Sequence, residues 1–183
     1  MTDIETLGNK SDSTIIQIAA IAFDIDTGEY LDEFNEVADI TKNKRMKVSG
    51  STIKWWLNTD KELFQKLINN GQYSSDEIVV RFHKWLLELM RGDGELYLWG
   101  NGILFDNKMI QHQMELNDLD YPIFYRNDRD MRTLVDLASK KWNITEKELK
   151  ERFNREDLIA HDAYNDVKYQ IDLVINCYKI LMS

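Results

Sequence analysis

The sequence is poor in cysteine and proline. It contains one of each in 183 residues, and the cysteine is Cys177. A single cysteine excludes an internal disulfide and a zinc site built from several cysteines, so we expect Cys177 to serve packing. Because no linker rich in glycine, serine or proline interrupts the chain, we expect one domain that covers residues 1–183.

Long apolar runs and an excess of positive charge are also missing from the sequence. No apolar run reaches membrane-spanning length, and the N-terminus lacks the basic and apolar regions of a signal peptide. We therefore expect a soluble, cytoplasmic protein without membrane contact. The 32 acidic residues outnumber the 23 basic ones, for a formal charge of −9, which disfavours non-specific binding of polyanions. Binding of nucleic acid would need a local site.

The pattern of apolar residues predicts an α/β fold. Apolar stretches at 3–6, 13–25 and 29–38 predict three strands that form an antiparallel meander. Helical spacing behind capping residues predicts helices at 51–58, 59–70, 74–91, 105–117, 129–142 and 162–182. Two short strands are predicted at 95–100 and, as an edge strand, at 122–126.

Two carboxylates stand together near the start of the chain. Residues two apart in a strand point to the same face, so Asp3 and Glu5 project together while Ile4 faces the opposite side. Two like charges at this spacing raise each other's pKa unless a cation lies between them, and a divalent metal ion is the usual cation. A solvated strand end is the alternative, because Asp-x-Glu is common by chance.

Two further segments place acidic residues where sites form. Asp106 follows a predicted strand and a glycine-containing turn, at the carboxyl edge of the sheet, although alone it is an ordinary first-turn helix carboxylate. His161 precedes Asp166 by five residues, a spacing that does not share one helix face. We therefore place His161 in the loop before the last helix, with Asp162 as the helix cap. Taken alone, a histidine beside a helix carboxylate often forms only a structural hydrogen bond.

These segments together resemble a known family. Asp-x-Glu-Thr on the first strand, Phe-Asp after the fourth and His-x-Ala-x-x-Asp before the last helix are similar to the motifs of the DEDDh 3′-to-5′ exonucleases of ribonuclease H-like fold. Within that family, STIKWW, WGNGILFD and RDMRTL resemble the phage exonuclease A and mycobacterial 3′-to-5′ exoribonuclease types. The resemblance covers nearly the whole chain. It implies a central mixed five-stranded sheet, made of the antiparallel meander and two parallel strands and flanked by helices.

The resemblance also implies a chemistry, phosphodiester hydrolysis with two Mg²⁺ or Mn²⁺ ions about 3.5 to 4 Å apart. Asp3 would bridge both ions. Glu5 and Asp166 would hold the ion on the side of the nucleophile, and Asp106 would act on the leaving-group side. His161 would be the general base, because the ordinary histidine pKa near 6.5 lets the ring accept a proton from the attacking water at neutral pH.

Residues around these motifs are candidate substrate contacts. One tryptophan of the pair at 55–56 is predicted to offer a stacking face to the terminal base. Adjacent helix positions diverge by about 100°, so the other is expected in the core. Asn101 lies five residues before Asp106, whereas many family members place an asparagine four residues before, so its role is not assumed. The candidates are Thr6, Leu7, Trp55, Trp56, Asn101 and Phe105.

Three other features leave alternatives open. The basic cluster at 42–47 either contacts a nucleic-acid backbone or is a solvated charge run. Arg132 either contacts a phosphate or, as is more common, forms a salt bridge. Only two residues precede Asp3, so either the first strand is short or the natural chain begins upstream.

The sequence therefore predicts a metal-dependent exonuclease that releases nucleoside 5′-monophosphates from the 3′ end of single-stranded DNA or of 3′ overhangs. The alternative within enzymes is an exoribonuclease or oligoribonuclease, because no motif reveals a contact with the 2′-hydroxyl. The alternative from another class is a nucleic-acid-binding module with an inactive site, against which the five intact motif residues argue. A homodimer is a further expectation.

Overall fold

The computed structural model describes residues 1–92, 94–155, 157–158 and 160–183. These residues form five strands and seven α-helices, besides a short 3₁₀ turn at Ile40–Lys42. The strands are β1 Thr2–Thr6, β2 Ile15–Phe23, β3 Tyr30–Val37, β4 Leu98–Gly100 and β5 Asp128–Asp130. The helices are α1 Gly50–Thr59, α2 Lys61–Asn69, α3 Ser75–Leu89, α4 Asp106–Leu116, α5 Met131–Trp142, α6 Glu146–Arg152 and α7 Ala163–Met182.

The strands combine antiparallel and parallel pairing, as predicted. β2 pairs antiparallel with β1 on one side and with β3 on the other. β4 and β5 pair in parallel, with Gly100 opposite Asp130, and β4 lies beside β1. Within the described ranges, the hydrogen bonds define a three-stranded and a two-stranded sheet rather than one continuous ladder.

The fifth strand is not where the sequence predicted it. It covers Asp128–Asp130, whereas residues 122–126 form no strand. Pro122 has no N–H to donate to a ladder, and Asn127 N–H donates to the Phe124 carbonyl at 2.7 Å, which closes a turn. The predicted helix at 129–142 accordingly begins only at Met131, behind the Asp130 cap.

One helix was not predicted at all. α6 begins behind Thr145, whose hydroxyl accepts from the Glu148 N–H while the Glu148 carboxylate accepts from the Thr145 N–H. This reciprocal capping box is visible in the sequence as Thr-x-x-Glu. The capping signal, rather than apolar periodicity, would have found this seven-residue helix.

Helices cover both faces of the meander. One face, which includes Ala19 and Ile21, packs against α5 and α7. The opposite face, which includes Ile4 and Ala20, packs against α3 and α4. A third apolar cluster joins the end of β1 to α1 and α2 through Leu7. Asp3 and Glu5 alternate with Ile4, so they face the side covered by α7.

The first strand is short but joined to its neighbour from its first residue. The Met1 amino group donates to the Ile21 carbonyl at 3.0 Å, and the Ile21 N–H donates back to Met1. The Met1 side chain is buried. The five residues of β1 therefore carry the first two acidic side chains on an anchored strand.

The last helix has the buried face that its sequence predicted. Val167, Ile171 and Val174 are all fully buried along α7, as the helical period requires. Asp162 caps the helix, because its carboxylate accepts from the Tyr164 N–H at 3.1 Å. Among the residues that the structure describes, no helix is long and apolar enough to cross a membrane.

Candidate active site and metal centre

Three carboxylates converge between β1 and α7. Asp3 and Glu5 project from one face of β1, and Asp166 projects from the first turn of α7. One carboxylate oxygen from each of them lies within 4.8 Å of the others. These three residues are called the acidic cluster below. All three are half-buried, so the charges are close together and only partly hydrated.

Local packing brings α7 to the strand that carries the cluster. Glu5 pairs with Gln17 of β2. The Gln17 side-chain carbonyl accepts from the Ala163 N–H at 3.2 Å, which fixes the first turn of α7 against the sheet. Ala163 is fully buried, and its small side chain permits this close approach. Asp166, one turn further along, consequently reaches Asp3 and Glu5.

Asp106 adds a fourth carboxylate next to this cluster. It is the first residue of α4 and only 5% exposed. Burial raises the Asp106 pKa to about 7, although the Arg132 guanidinium partly offsets that effect. The charge of Asp106 is, after burial, the largest cause of the raised pKa of Asp3. Asp106 therefore acts mainly on Asp3 and is not one of the three mutually close carboxylates.

The acidic cluster is electrostatically unfavourable on its own. Burial raises the pKa of Asp3 and Glu5 well above the usual range, and neighbouring carboxylates raise it further. Burial also raises the pKa of Asp166, against a lowering effect of the His161 backbone N–H. A hydrogen bond from Gln170 lowers the pKa of Asp3 but does not compensate. Like charges held this close favour the binding of a cation.

The ligand types in the cluster fit a hard divalent cation. All three residues offer carboxylate oxygens, with no sulfur or imidazole in the group. Mg²⁺ prefers a few carboxylate ligands and keeps several waters, and Mn²⁺ accepts the same donor atoms. The side chains present therefore fit the predicted Mg²⁺ or Mn²⁺ centre, and Asp106 lies close enough to influence the charge there.

His161 lies beside the cluster in the loop before α7, as predicted. Its backbone N–H donates to Asp166 Oδ2 at 3.0 Å. Its backbone is left-handed, with φ of 65°, a conformation that few non-glycine residues adopt and that histidine tolerates better than most. Its ring contacts the Trp55 ring edge-on, with centroids 5.0 Å apart. The hydrogen bond to Asp166 therefore involves only the backbone of His161, and the imidazole takes no part in it.

The two adjacent tryptophans have different surroundings. Trp56 is 1% exposed, and its Nε1–H donates to the Thr6 carbonyl at 3.1 Å. Trp55 is 42% exposed and contacts His161. Thr6 and Leu7 are buried as well, so the predicted substrate contacts of Thr6, Leu7 and Trp56 stay predictions that this placement does not favour. Trp55 is therefore the solvent-accessible tryptophan of the pair.

The guanidinium of Arg132, on α5, lies across the turn that follows β4 and acts on Asp106. Arg132 is exposed, and its Nε–H donates to Asn101 Oδ1 at 3.2 Å. A Cβ on Gly102 would lie 2.8 Å from the guanidinium carbon, and Gly102 has φ of +111°. Glycine is thus required where Arg132 crosses the turn. Phe105, at the end of this turn, is 39% exposed.

Arg132 does not form the salt bridge that was expected of it, as far as the described part of the chain shows. Its partner is the neutral amide of Asn101. The basic cluster at 42–47 is different, because Lys42 lies 3.6 Å from Asp39 and Lys47 lies 3.1 Å from Asp12. Those exposed pairs reduce the positive charge that the cluster presents.

Sequence reasoning missed one residue of the site, Gln170. This glutamine lies on the buried face of α7, and its Nε2–H donates to Asp3 Oδ1 at 2.9 Å. Its signal in the sequence is an amide four residues after Asp166, in the middle of the apolar stripe of a helix. That position places both side chains on the same helix face.

The raised carboxylate pKa values predict how the metal-free protein responds to pH. Between about pH 4 and pH 7, Asp106 is protonated in the native state and ionised in the unfolded state. The unfolded state then binds fewer protons, so the free energy of unfolding falls as pH rises through this range. At about 1.4 kcal/mol per pK unit, ionising Asp106 costs roughly 2–4 kcal/mol. Burial lowers the pKa of the Met1 amino group to about 5, and this changes stability in the opposite direction over the same range. The Asp106 contribution therefore appears as a difference between two proteins. Between pH 5 and pH 8, the melting temperature in EDTA should fall by roughly 5–10 °C more in wild type than in Asp106→Asn.

Calorimetric melting of Asp106→Asn, with Asp26→Asn as control, checks this expectation. Asp26 is an exposed turn residue away from the cluster, so its variant should keep the wild-type pH dependence. Asp106→Asn should lose the part of this dependence that Asp106 contributes. Mg²⁺ or Mn²⁺ should raise the wild-type melting temperature more at pH 8 than at pH 5, because ligands must be deprotonated to bind. The same pH dependence of the metal-free melting temperature in wild type and Asp106→Asn would contradict the raised pKa of Asp106.

The fold resembles solved nuclease structures. Cell-death related nuclease 4 (CRN-4) superposes with a TM-score of 0.66 and 16% identity, over 97% of this chain and 63% of that chain. This chain thus spans less than two thirds of CRN-4. The nuclease domain of 3′hExo, a DEDDh family member bound to rAMP, superposes with a TM-score of 0.65 and 16% identity, over 97% of this chain and 90% of that chain. These similarities confirm the predicted ribonuclease H-like fold.

Sequence comparisons identify the family. The exodeoxyribonuclease of Enterobacteria phage T4 is 22% identical over 192 residues, which cover 90% of this chain and 82% of the phage protein. Residues 1–178 match the family described as 3′-5′ exoribonuclease Rv2179c-like domain. The predicted relationship to the DEDDh nucleases and the predicted enzyme class, a 3′-to-5′ exonuclease, are confirmed. The chain belongs to the family of 3′-5′ exoribonuclease Rv2179c-like domains.

Proposed function

We propose that residues 1–183 form one metal-dependent exonuclease domain that removes nucleoside 5′-monophosphates from the 3′ end of single-stranded nucleic acid. The observation that carries the proposal is the convergence of Asp3, Glu5 and Asp166 within 4.8 Å. Such a cluster is costly unless divalent cations bind to it. Asp106, buried beside Asp3, would supply the fourth acidic side chain. Two Mg²⁺ or Mn²⁺ ions would stabilise the attacking and leaving oxygens of the phosphodiester.

The carboxylates of the site would hold the ions, and His161 would transfer a proton. Asp3 would contribute to both ion positions, with Glu5 and Asp166 on the side of the attacking water and Asp106 on the side of the leaving 3′-oxygen. His161 would take the proton of the attacking water on its imidazole. Support for that role is its place beside Asp166, because the backbone N–H makes the bond to Asp166 and leaves the imidazole out of it. Proton transfer by such a base is worth about 10²- to 10⁴-fold in rate.

Exposed side chains around the acidic cluster would hold the terminal nucleotide. Trp55 presents an exposed aromatic face beside His161, and stacking of a base on an aromatic ring contributes about 1–3 kcal/mol. Phe105 offers a second exposed ring at the start of α4. Arg132 would pair with a phosphate, because its guanidinium is exposed and, among the described residues, forms a single side-chain hydrogen bond, from Nε to Asn101. Asn101 would then orient Arg132 rather than contact substrate itself.

The proposal has two candidate substrates, DNA and RNA. The T4 relative is an exodeoxyribonuclease, which favours single-stranded DNA or 3′ overhangs. The family description is an exoribonuclease, which favours RNA or short oligoribonucleotides. Contacts with the 2′-hydroxyl decide between them. A homodimer and a cytoplasmic location stay predictions.

Digestion of end-labelled strands tests the polarity of the reaction. We expect mononucleotides from the 3′ end at the earliest times, on single strands with a free 3′-hydroxyl and Mn²⁺ or Mg²⁺. A blocked 3′ end should stop the reaction, whereas a blocked 5′ end should have no effect. Matched DNA and RNA strands, run in parallel, rank the two substrate candidates by their specificity constants.

A circular single strand serves as the negative control of this experiment. It has no end, so a 3′-to-5′ exonuclease leaves it intact. Early internal fragments from the circle would indicate an endonuclease, and release from 5′ ends would indicate the opposite polarity. Either result would overturn the proposed function.

A further inference from the structure

Gln170 is a buried amide in contact with the acidic cluster. It lies on α7, one turn after Asp166, and is 3% exposed. Its Nε2–H donates to Asp3 Oδ1 at 2.9 Å. Its side-chain oxygen is buried and has no hydrogen-bond partner within the described part of the chain. The amide thus makes one bond, and that bond is to the carboxylate that would bridge both ions.

Burial of this amide lowers the stability of the fold. The neighbouring buried positions of α7, Val167, Ile171 and Val174, are all apolar. An unpaired buried polar atom lowers stability, so an apolar side chain of similar size would pack at position 170 with a smaller penalty. Packing therefore does not account for a glutamine here, and the bond to Asp3 is the feature that an apolar residue could not supply.

The bond restricts the orientation of the Asp3 carboxylate. Without it, rotation of the carboxyl group about its last side-chain bond is broad. The N–H from α7 holds Asp3 Oδ1 in place. The orientation of the carboxyl group is then fixed, and so are the directions in which its free lone pairs point.

We propose that Gln170 is a positioning residue that orients Asp3 for cation binding and tunes the cluster toward Mg²⁺. The proposal rests on the proposed function, because it assumes that Asp3 is a ligand. Mg²⁺ demands near-ideal octahedral geometry and dehydrates reluctantly. Mn²⁺ accepts the same oxygen ligands and, as a larger ion, tolerates more distortion of their arrangement. Loss of the orienting bond should therefore weaken Mg²⁺ binding more than Mn²⁺ binding.

Calorimetric titration of Gln170→Met with each ion tests this inference. Methionine keeps the approximate length and apolar volume of the side chain but has no N–H to donate. We expect Mg²⁺ affinity to fall by about 10- to 100-fold, with a smaller loss for Mn²⁺. The metal-free melting temperature, measured alongside, checks that the variant folds. Turnover in Mg²⁺ should fall while the KM for a single strand changes little, and saturating Mn²⁺ should restore most of the turnover.

Gln113→Met is the matched control. Gln113 is also a buried helical glutamine, but its Nε2–H donates to the Ser11 and Ser13 carbonyls, away from the acidic cluster. Its variant should lose stability and keep the wild-type ratio of Mg²⁺ to Mn²⁺ affinity. Gln170→Leu provides a second apolar replacement if methionine prevents folding.

The outcomes separate this inference from the proposed function. If wild type binds both ions and Gln170→Met binds them with unchanged affinities, the positioning role is overturned while the proposed function stands. An equal loss for both ions would overturn the Mg²⁺ preference. If wild type binds neither ion, the proposed function itself fails.

Discussion

Asp3→Asn is expected to lower turnover by at least roughly 10³-fold, the largest effect of any single substitution at the site. Asp3 lies within reach of Glu5 and Asp166 in the acidic cluster, and the charge of nearby Asp106 raises the Asp3 pKa further. An asparagine keeps the shape but removes the charge that would hold both ions. Divalent ions contribute several kcal/mol of transition-state stabilisation, and each 1.4 kcal/mol is about tenfold in rate. Single-turnover digestion of a 3′-labelled strand measures the loss.

The same substitution should have the opposite effect on stability. Removing a buried charge from a cluster of like charges should raise the melting temperature of the metal-free protein. Asp26→Asn, which removes an exposed charge, should leave both activity and stability close to wild type. EDTA should abolish the wild-type activity, and Mn²⁺ or Mg²⁺ should restore it. Activity of Asp3→Asn within tenfold of wild type, or full activity in EDTA, would contradict the assignment of Asp3.

His161→Asn is expected to lower turnover by about 10²- to 10⁴-fold while metal affinity is kept. Asparagine suits this position because it tolerates the left-handed backbone that His161 adopts. The bond to Asp166 comes from the backbone N–H, so it survives the substitution. Only the imidazole, the predicted base, is lost.

Two measurements separate these effects, calorimetric titration with Mn²⁺ and single-turnover kinetics. The single-turnover rate of His161→Asn should fall, while its Mn²⁺ affinity should stay close to that of wild type. His112→Asn, on α4, is the control and should behave as wild type. Loss of Mn²⁺ binding by His161→Asn would make the residue a ligand and withdraw the role of base.

The acidic cluster could be predicted because its determinants are local in sequence. Strand alternation alone places Asp3 and Glu5 on the face opposite Ile4, and the buried face of α7 follows from its period. The resemblance to the DEDDh exonuclease motifs added Asp106 and Asp166. The structure brings Asp3, Glu5 and Asp166 together, and the bond from Ala163 to Gln17 that does so joins residues far apart in sequence.

Features that depend on distant partners could not be predicted in this way. The apolar content of residues 122–126 suggested a strand, but the turn closed by Asn127 moves the pairing to Asp128–Asp130. The choice between Trp55 and Trp56 depended on which of the two meets the Thr6 carbonyl. Gln170 was missed because its partner, Asp3, lies 167 residues away in sequence.

The most direct test of the central claim is anomalous diffraction from crystals grown with Mn²⁺ and a nucleoside 5′-monophosphate. The claim is that the acidic cluster and Asp106 hold the ions that drive cleavage at a 3′ end. We expect two anomalous peaks about 3.5 to 4 Å apart, with Asp3 touching both, Glu5 and Asp166 touching one, and the monophosphate bound to both ions. No peak within ligand distance of Asp3, at a Mn²⁺ concentration that supports activity, would contradict the claim.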